Sequence, residues 1–337
     1  MFIKSNKMIL LILLITTLIT FSINNNFMKW MFMEMYSLIF ISLLNLNNNN
    51  NKKPSMIYFS ISSISSLLIF YFMIINMNYW IFINNLYYSP YLSMMIQLIL
   101  LLKMGIYPFY FWVPYIYSLM NWDLILIFST LNKLIPIYLL STLTKLNMMM
   151  MMILIMNMMM MSIFLINEHS IKKIFSYSSV SHSSYLIYFS FQNTNMFLFY
   201  MFMYFLNLYL IIYMFKKFNI NNKYNFLNLM FNKKIMNIMI IFTLNYNMFP
   251  PFSSFIYKWF FFIETSMNFS SMMYLYILTI SSMFISWTLL NLMKYNFLNK
   301  MMKKNIIKYK YINMSMNIYM LLSLFFNLMF TFYLFIY

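Results

Sequence analysis

The chain has 337 residues, of which 64% are hydrophobic and 8% are charged, and its formal net charge is +18. Apolar runs of about 18 residues or more recur from end to end, which is typical of a polytopic helical membrane protein and excludes a soluble catalytic domain; because the runs are continuous rather than alternating, they also exclude a transmembrane β-barrel. The basic residues, all of them lysine, stand mostly in short loops between these runs, which favours a role in membrane orientation over nucleic-acid binding.

Residue usage excludes several kinds of site. The sequence has no cysteine and only two histidines, His169 and His182, so it predicts neither a disulfide framework nor a metal site built from thiolates or a histidine cluster. Alanine and arginine are absent and glycine occurs once, which indicates a very A+T-rich genome. The 42 methionines fit the genetic code of animal mitochondria, and we interpret runs such as 148–152 as lipid-facing side chains, since methionine is apolar and flexible.

The hydropathy pattern predicts about eleven transmembrane helices in a single membrane domain that covers residues 1–337. Their approximate bounds are 8–21, 27–46, 55–75, 90–119, 123–143, 148–166, 171–191, 194–215, 235–263, 270–293 and 312–336. The fourth predicted span is broken at Gly105–Pro108 and the ninth at Phe249–Phe252, because proline lacks the N–H that a continuing helix needs. A loop without lysine is predicted over residues 76–89.

The lysines predict the orientation of the spans. Five lysine-rich segments fall on one side of the membrane if each broken helix crosses it once, and Lys145 is the exception. The segments lie near residues 4–7, 52–53, 172–173, 216–234 and 294–310. By the positive-inside rule, the N-terminus is predicted on the basic side and the C-terminus on the opposite side.

The two broken helices also predict an internal repeat. They are five spans apart, and because five is odd, two five-helix units would cross the membrane in opposite senses. Paired broken helices in matching positions are typical of transporters with inverted repeats. We therefore predict an all-α fold with repeats at about 8–143 and 148–293 and an additional helix at about 312–336.

Four ionisable residues fall inside the predicted spans: Glu34, Lys103, Lys133 and Lys258. Each costs on the order of 3 kcal/mol at the middle of a bilayer, so each is expected to face the protein interior or trapped water. Lys133 is the most central of them, and Lys103 and Lys258 stand beside the helix breaks. The alternatives are a lysine that snorkels to the interface and a static ion pair.

His182 lies in a segment rich in hydroxyl groups, residues 177–185, which suits a proton path lined by water. The alternative is a histidine that is hydrogen-bonded between packed helices. The remaining acidic residues and their neighbours are interpreted as helix caps or loop charges. They are Asp123, Glu168, His169, Lys172, Lys173 and Glu264.

Several segments carry a family resemblance when they are taken together and in order. They are Trp30–Glu34, Lys103–Pro114, Asn132–Pro136, Ser176–His182 and Pro250–Trp259. This combination resembles the NADH:ubiquinone oxidoreductase chain 2 family, antiporter-like subunits of the membrane arm of respiratory complex I. The length resembles the shorter, eleven-helix form of animals, and the A+T bias favours an insect source.

The resemblance implies a proton channel made of two inverted half-channels. Glu34 and Lys103 would form the charge pair of one half, Lys133 the central relay, and Lys258 the exit half. His182 is the fifth candidate relay residue. The sequence departs from the family at Tyr110, where a histidine is usual, and at Met248 and Ser254, where glycines are usual.

The resemblance also implies that this chain binds no cofactor and that NADH, FMN, iron–sulfur clusters and ubiquinone bind to other subunits. The expected partners are other membrane-arm and accessory subunits and membrane lipids that include cardiolipin; nucleic acid is not expected. The expected location is the mitochondrial inner membrane, with the N-terminus in the matrix and the C-terminus in the intermembrane space. Two alternatives stay open: a free-standing cation/proton antiporter, and a non-conducting scaffold subunit.

Overall fold

A computed structural model of the chain describes residues 2–47, 52–82, 90–218, 220–222, 233–248, 254, 255, 258, 277 and 279–288. This part of the chain is helical apart from short connections and one isolated bridge between Ser170 and Asn222. The all-α prediction is therefore confirmed for it. The predicted span at 312–336 and the loop at 294–310 lie outside the described residues, so the total of eleven spans stays a prediction.

The helices follow the predicted order. They are α1 (Phe2–Ser22), α2 (Asn26–Asn47), α3 (Lys53–Phe82), α4 (Pro90–Met104), α5 (Trp112–Leu119), α6 (Trp122–Ser129), α7 (Leu131–Leu143), α8 (Met148–Asn167), α9 (Ile171–Gln192), α10 (Thr194–Lys217) and α11 (Lys233–Tyr246). Residues 279–288 are helical as well.

Within the described residues, five helical stretches are long and apolar enough to cross a membrane: Asn26–Asn47, Lys53–Ile75, Trp122–Leu143, Met148–Asn167 and Thr194–Lys217. Shorter apolar helices cover Met8–Ser22 and Tyr91–Met104. Large apolar side chains on several of these helices point outward, among them Leu18, Met56 and Leu67. This exposure suits a lipid surface, where apolar side chains carry no solvation cost.

α9 differs from these stretches because its serines lower its hydropathy. It is long enough to cross a membrane, and every residue from 174 to 190 is buried. A helix that is covered on all sides does not need a lipid-compatible surface, so it can carry the polar side chains that a conducting path needs.

One predicted boundary was wrong, and one predicted span contains a break that was not predicted. α3 continues to Phe82, although a loop was expected from Asn76. Backbone hydrogen bonds do not depend on side-chain polarity, so a helix can extend beyond its apolar run. The predicted fifth span is divided at Thr130, where α6 ends and α7 begins. The Thr130 hydroxyl donates to the Leu126 carbonyl at 2.7 Å and so competes with the helical hydrogen-bond ladder.

Contacts divide the chain into two units. The first unit comprises Met1–Met161 and Lys172–Met201, and the second comprises Ser162–Ile171 and the described residues from Phe202 onward. Phe128 of α6 lies at the centre of an aromatic cluster in the first unit, with Phe40, Tyr58, Trp112 and Tyr117 at ring-centroid distances of 5.6–5.8 Å. Such packing holds helices together in lipid, where the hydrophobic effect gives no driving force between them.

The predicted break of the fourth span is present, and glycine forms it. The N–H of Gly105 donates to Leu102 and that of Ile106 donates to Leu101, which is the Schellman arrangement at the end of α4. Gly105 has φ +69°, and a Cβ there would lie 2.1 Å from Cγ2 of Val113. The only glycine in the sequence therefore stands where both the backbone angle and the space require it.

α11 ends at Tyr246, shortly before the position of the second predicted break. Residues 249–253 lie outside the described residues, but Met248 has φ +53°, a left-handed conformation that glycine adopts more easily. The hydroxyl of Ser254 donates to the Asn245 carbonyl. The two positions at which the sequence departs from the family's glycines are therefore a left-handed residue and a hydrogen-bonded hydroxyl.

Candidate functional site

Glu34 and Lys103 form an ion pair between α2 and α4. Nζ of Lys103 lies 2.8 Å from Oε1 of Glu34. Lys103 is 5% exposed, whereas the Glu34 side chain is 26% exposed. Lys103 occupies the last turn of α4, where the helix dipole favours a positive charge. The contact predicted for this pair is thus confirmed.

Lys133 lies on α7 and is 2% exposed. Its Nζ donates a 2.6 Å hydrogen bond to the backbone carbonyl of Ser179 on α9. Among the residues that the structure describes, no carboxylate lies within ion-pair distance of Lys133. A lysine that is buried without a counter-ion is costly for stability, which argues against a purely structural role.

A buried hydrogen bond joins α3 to the residue that precedes Lys133. The hydroxyl of Tyr58 on α3 donates to Oδ1 of Asn132 at 2.7 Å, and Asn132 directly precedes Lys133. Tyr58 also lies close enough to Glu34 for the two groups to interact electrostatically. The phenol of Tyr36, which interacts with Tyr58, is buried and has no hydrogen-bond partner within the described part of the chain. These groups place polar atoms along the stretch between Glu34 and Lys133.

On its other side, Lys133 faces the hydroxyl-rich segment of α9. The Ser179 hydroxyl donates to the Ser176 carbonyl at 2.8 Å, so the Tyr117 hydroxyl, 2.8 Å away, donates to Ser179. One turn further along α9, Nδ1 of His182 lies 3.0 Å from the hydroxyl of Tyr200. α9 therefore carries both the acceptor of Lys133 and the predicted histidine.

Lys258 belongs to the second unit and lies near the end of α11. Its Nζ donates to the carbonyl of Asn247 at 3.3 Å. Lys103 therefore lies next to the first break, in the last turn before Gly105, whereas Lys258 lies against a carbonyl just beyond α11. The second predicted break lies outside the described residues, so the location of Lys258 beside it stays a prediction, as does the role of both lysines in proton transfer.

One interpretation of a surface charge needs correction. Lys172 is not mainly a solvated cap, because its Nζ donates to the Met120 carbonyl at 2.7 Å and lies 5.8 Å from the ring of Trp122. Asp123 lies in the first turn of α6, where the helix dipole favours a negative charge, although the N-cap residue itself is Asn121. Glu264 lies outside the described residues.

The interpretation of the methionine runs is correct for only one face of α8. Met148, Met149, Met152 and Met156 are exposed, as expected for side chains that contact lipid. Met150, Met158 and Met161 are buried on the opposite face. Methionine fills irregular internal spaces as readily as it faces lipid, so the runs alone could not separate the two faces.

Several residues near the site were not predicted. Lys29 on α2 is buried, and its ammonium lies 4.7 Å from the centre of the Tyr138 ring. Tyr58, Asn132 and Asn157 form buried side-chain hydrogen bonds. Asn132 and Asn157 could have been found from the sequence, because an amide inside an apolar helix needs a hydrogen-bond partner. In the described part of the chain, no group of three His, Cys, Asp or Glu residues lies together as a metal would require.

Comparison with known proteins identifies relatives that align over most of the chain. Residues 23–286 match the family described as NADH:quinone oxidoreductase/Mrp antiporter, transmembrane. The NADH-ubiquinone oxidoreductase chain 2 of Apis mellifera ligustica is 34% identical over 283 residues, which is 84% of this chain and 82% of that protein. The protein of the same name from Anopheles gambiae is 31% identical over 285 residues, 82% of this chain and 80% of that one.

Solved structures share the fold at low sequence identity. A chain of respiratory complex I from Thermus thermophilus has a TM-score of 0.64 and 15% identity, and the match covers 79% of this chain but only 64% of that chain. A chain of an archaeal membrane-bound sulfane sulfur reductase has a TM-score of 0.74 and 14% identity, and the match covers 97% of this chain and 73% of that chain. A chain of the Mrp complex from Dietzia sp. has a TM-score of 0.61 and 14% identity, and the match covers 78% of this chain and 55% of that chain.

The family match covers more than half of the sequence, and the insect relatives align over most of both chains. The helix order and the broken helix that carries Lys103 agree with this relationship. The chain is an integral membrane protein, and it belongs to the NADH:quinone oxidoreductase/Mrp antiporter family, among the NADH-ubiquinone oxidoreductase chain 2 proteins.

Proposed function

We propose that this chain is a proton-translocating subunit in the membrane arm of respiratory complex I, the enzyme that couples electron transfer from NADH to ubiquinone to proton pumping. The observation that carries the proposal is the buried Lys133, which has no counter-ion among the described residues and is approached by polar groups from the Glu34–Lys103 pair. Family membership supports the same reading.

Each charged residue has a role in this proposal. Lys133 is the central relay, and the Glu34–Lys103 pair controls its charge. When the pair is closed, the two charges compensate each other; when it opens, the ammonium of Lys103 repels a proton on Lys133, because charges interact strongly in a medium of low dielectric constant. Lys258 serves the exit half, and His182 with its hydroxyl-rich helix extends the path.

Water completes the path between the Glu34–Lys103 pair and Lys133. An amide does not pass a proton on, so Asn132 orients the Tyr58 hydroxyl and the transfer itself runs through water beside it. The buried hydroxyl of Tyr36 offers a hydrogen bond to such water, since polar groups inside proteins are usually satisfied by protein or water. Opening and closing of the path would then follow the ion pair.

The redox chemistry belongs to other subunits. The chain has no cysteine to ligate an iron–sulfur cluster, and we propose that NADH, FMN, the clusters and ubiquinone bind elsewhere in the complex. Energy from quinone reduction would reach this chain as electrostatic and conformational change. Its partners are then the neighbouring membrane-arm and accessory subunits, in agreement with the multisubunit complexes that contain the related chains.

We place the chain in the mitochondrial inner membrane, with its N-terminus in the matrix and its C-terminus in the intermembrane space. The codon-biased composition and the insect relatives support a mitochondrial origin. The lysine-rich loops of the predicted matrix side would also attract anionic lipids such as cardiolipin.

A free-standing cation/proton antiporter is the second candidate, because the fold is shared with the Mrp complex. Native separation of gently solubilised source membranes distinguishes the two, when the band that contains this chain is analysed by mass spectrometry. Co-migration with flavin- and iron–sulfur-bearing subunits and with NADH-oxidising activity supports the complex I proposal. Migration of the chain alone, or only with other transport subunits, would contradict it and favour the antiporter.

A further inference from the structure

Asn157 is a completely buried amide in the middle of a methionine-rich helix. It is 0% exposed, and it is the only polar residue of α8 between Met148 and Met161. Its neighbour Met156 is exposed. An amide at such a position is stable only when its donors and acceptor are hydrogen-bonded, because an unsatisfied polar group in an apolar interior is costly.

The Asn157 side chain makes three hydrogen bonds to two different elements. Oδ1 accepts the backbone N–H of Tyr107 at 3.1 Å. Nδ2 donates to the Val180 carbonyl at 3.0 Å and to the Ser184 hydroxyl at 2.8 Å. Both amide protons and the oxygen are therefore used, and one side chain joins the α4–α5 connection to α9.

Both ends of this bridge lie next to the candidate relay. Tyr107 belongs to the break that follows Gly105, and α4 carries Lys103 in its last turn before that break. On α9, Val180 directly follows Ser179, whose carbonyl accepts the hydrogen bond of Lys133. Ser184 stands two residues after His182 on the same helix. The amide thus connects the backbone beside one lysine to the backbone beside the other.

We infer that Asn157 is a positioning residue of the proton relay: it joins the helix break beside Lys103 to the segment of α9 that holds Lys133, so that a movement of the break is transmitted to the acceptor of the central lysine. The inference rests on the proposed function. If the break moves alone, the half-buried N–H of Tyr107 loses its partner. If the bridge holds, α9 moves with the break. The bridge therefore favours concerted changes at the two lysines.

The test uses the assembled complex, reconstituted in lipid vesicles, with protons translocated per electron and NADH oxidation measured on the same preparation. Asn157→Leu keeps a similar volume but removes all three hydrogen bonds, and Ser184→Ala removes one bond with little change in size. Met156→Leu, at an exposed position of the same helix, is the matched control, and Lys133→Met is the reference for a blocked relay.

We expect Asn157→Leu to lower the proton-to-electron ratio to that of Lys133→Met while NADH oxidation continues, Ser184→Ala to lower it less, and Met156→Leu to leave it unchanged. The double variant of Asn157→Leu and Ser184→Ala should be no worse than Asn157→Leu alone, since both act through one bridge. A merely structural amide would reduce the amount of assembled complex without changing the ratio.

An unchanged ratio in Asn157→Leu, beside a lowered ratio in Lys133→Met, would overturn the inference and leave the proposed function intact. If the complex with Asn157→Leu does not assemble, the test rests on Ser184→Ala. An unchanged proton-to-electron ratio in Ser184→Ala contradicts the inference, and a lowered ratio supports it. An unchanged ratio in Lys133→Met would contradict the proposed function itself, together with the inference that rests on it.

Discussion

Among single residues, Glu34 is the counter-ion that allows Lys103 to be charged inside an apolar protein. Glu34→Gln would leave the ammonium uncompensated at a buried site. Removing one partner of a fully buried pair costs about 3–5 kcal/mol, and the partial exposure of Glu34 reduces this to ~2 kcal/mol. We expect a lower melting temperature of the assembled complex and a lower proton-to-electron ratio.

The control is the double variant of Glu34→Gln and Lys103→Met. Replacing both charges removes their desolvation cost, so the melting temperature should recover much of the loss, whereas proton translocation should not recover. Wild-type stability and wild-type proton translocation in Glu34→Gln would show that the pair has neither role.

Tyr58 provides a buried hydrogen bond from α3 to α7, the helix of Lys133. Tyr58→Phe leaves Oδ1 of Asn132 without its donor, which costs about 1–2 kcal/mol, and we expect slower proton translocation with electron transfer retained. The measurement is the rate of vesicle acidification per unit of NADH oxidised. Tyr71→Phe, an exposed tyrosine of the same helix, is the control and should change neither quantity. Equal rates in both variants would remove Tyr58 from the path.

The charged residues of the site could be predicted from sequence, but their neutral partners could not. Glu34, Lys103 and Lys133 are recognisable because an ionisable group inside an apolar run is costly and therefore rare. Tyr58 is one of 30 tyrosines, and nothing local distinguishes it from the others. Its importance comes from a contact with Asn132, 74 residues away, which only the packing of α3 against α7 creates.

At the level of secondary structure, the break between α4 and α5 depends on Gly105. Gly105→Ala would place a Cβ at φ +69° and within 2.1 Å of Cγ2 of Val113. The left-handed conformation costs about 1 kcal/mol for alanine, and the clash adds about 1–3 kcal/mol. We expect a clear loss of thermal stability and of assembled complex.

Val113→Ala tests whether the clash has the stated origin. It removes the atom that the new Cβ would meet, so the double variant of Gly105→Ala and Val113→Ala should be more stable than the sum of the single effects predicts. Additive effects in this double-mutant cycle would contradict a direct contact between the two positions.

For helix breaks and helix ends as well, local residue chemistry could be predicted from the sequence, whereas other features could not. Gly105 and Pro108 predict the first break, because glycine readily adopts a left-handed backbone angle and proline lacks an N–H. The division at Thr130 was not predicted, because the run has no glycine and its one proline, Pro136, lies beyond the division. Hydropathy locates the apolar part of a helix and not its end, which is why the length of α3 was underestimated.

For the whole molecule, the distribution of lysines predicts which ends of the helices face the matrix. The sequence contains no cysteine, so single cysteines can be introduced as clean reporters. Asn24→Cys and Gln192→Cys lie at exposed positions of the predicted intermembrane-space side, and Lys52→Cys lies at an exposed position of the matrix side. A membrane-impermeant maleimide added to mitochondria without an outer membrane should label the first two and should label Lys52→Cys only after permeabilisation.

The labelled chain is identified by mass spectrometry after native separation, which also checks assembly. Labelling of Lys52→Cys in intact inner membranes, with protection of Asn24→Cys, would reverse the predicted orientation. That result would move the N-terminus to the intermembrane space but would leave the ion pair and the position of Lys133 unchanged, because these contacts lie within the first unit.

The most direct test of the central claim is the proton-to-electron ratio of the reconstituted complex that carries Lys133→Met. Lys133→Arg is measured beside it, since arginine keeps the charge but does not release its proton, and Lys52→Met is the exposed control. We predict that both Lys133 variants assemble and oxidise NADH but move fewer protons per electron, while Lys52→Met matches the wild type. A wild-type ratio in Lys133→Met would contradict a proton relay through this chain and would favour a scaffold role.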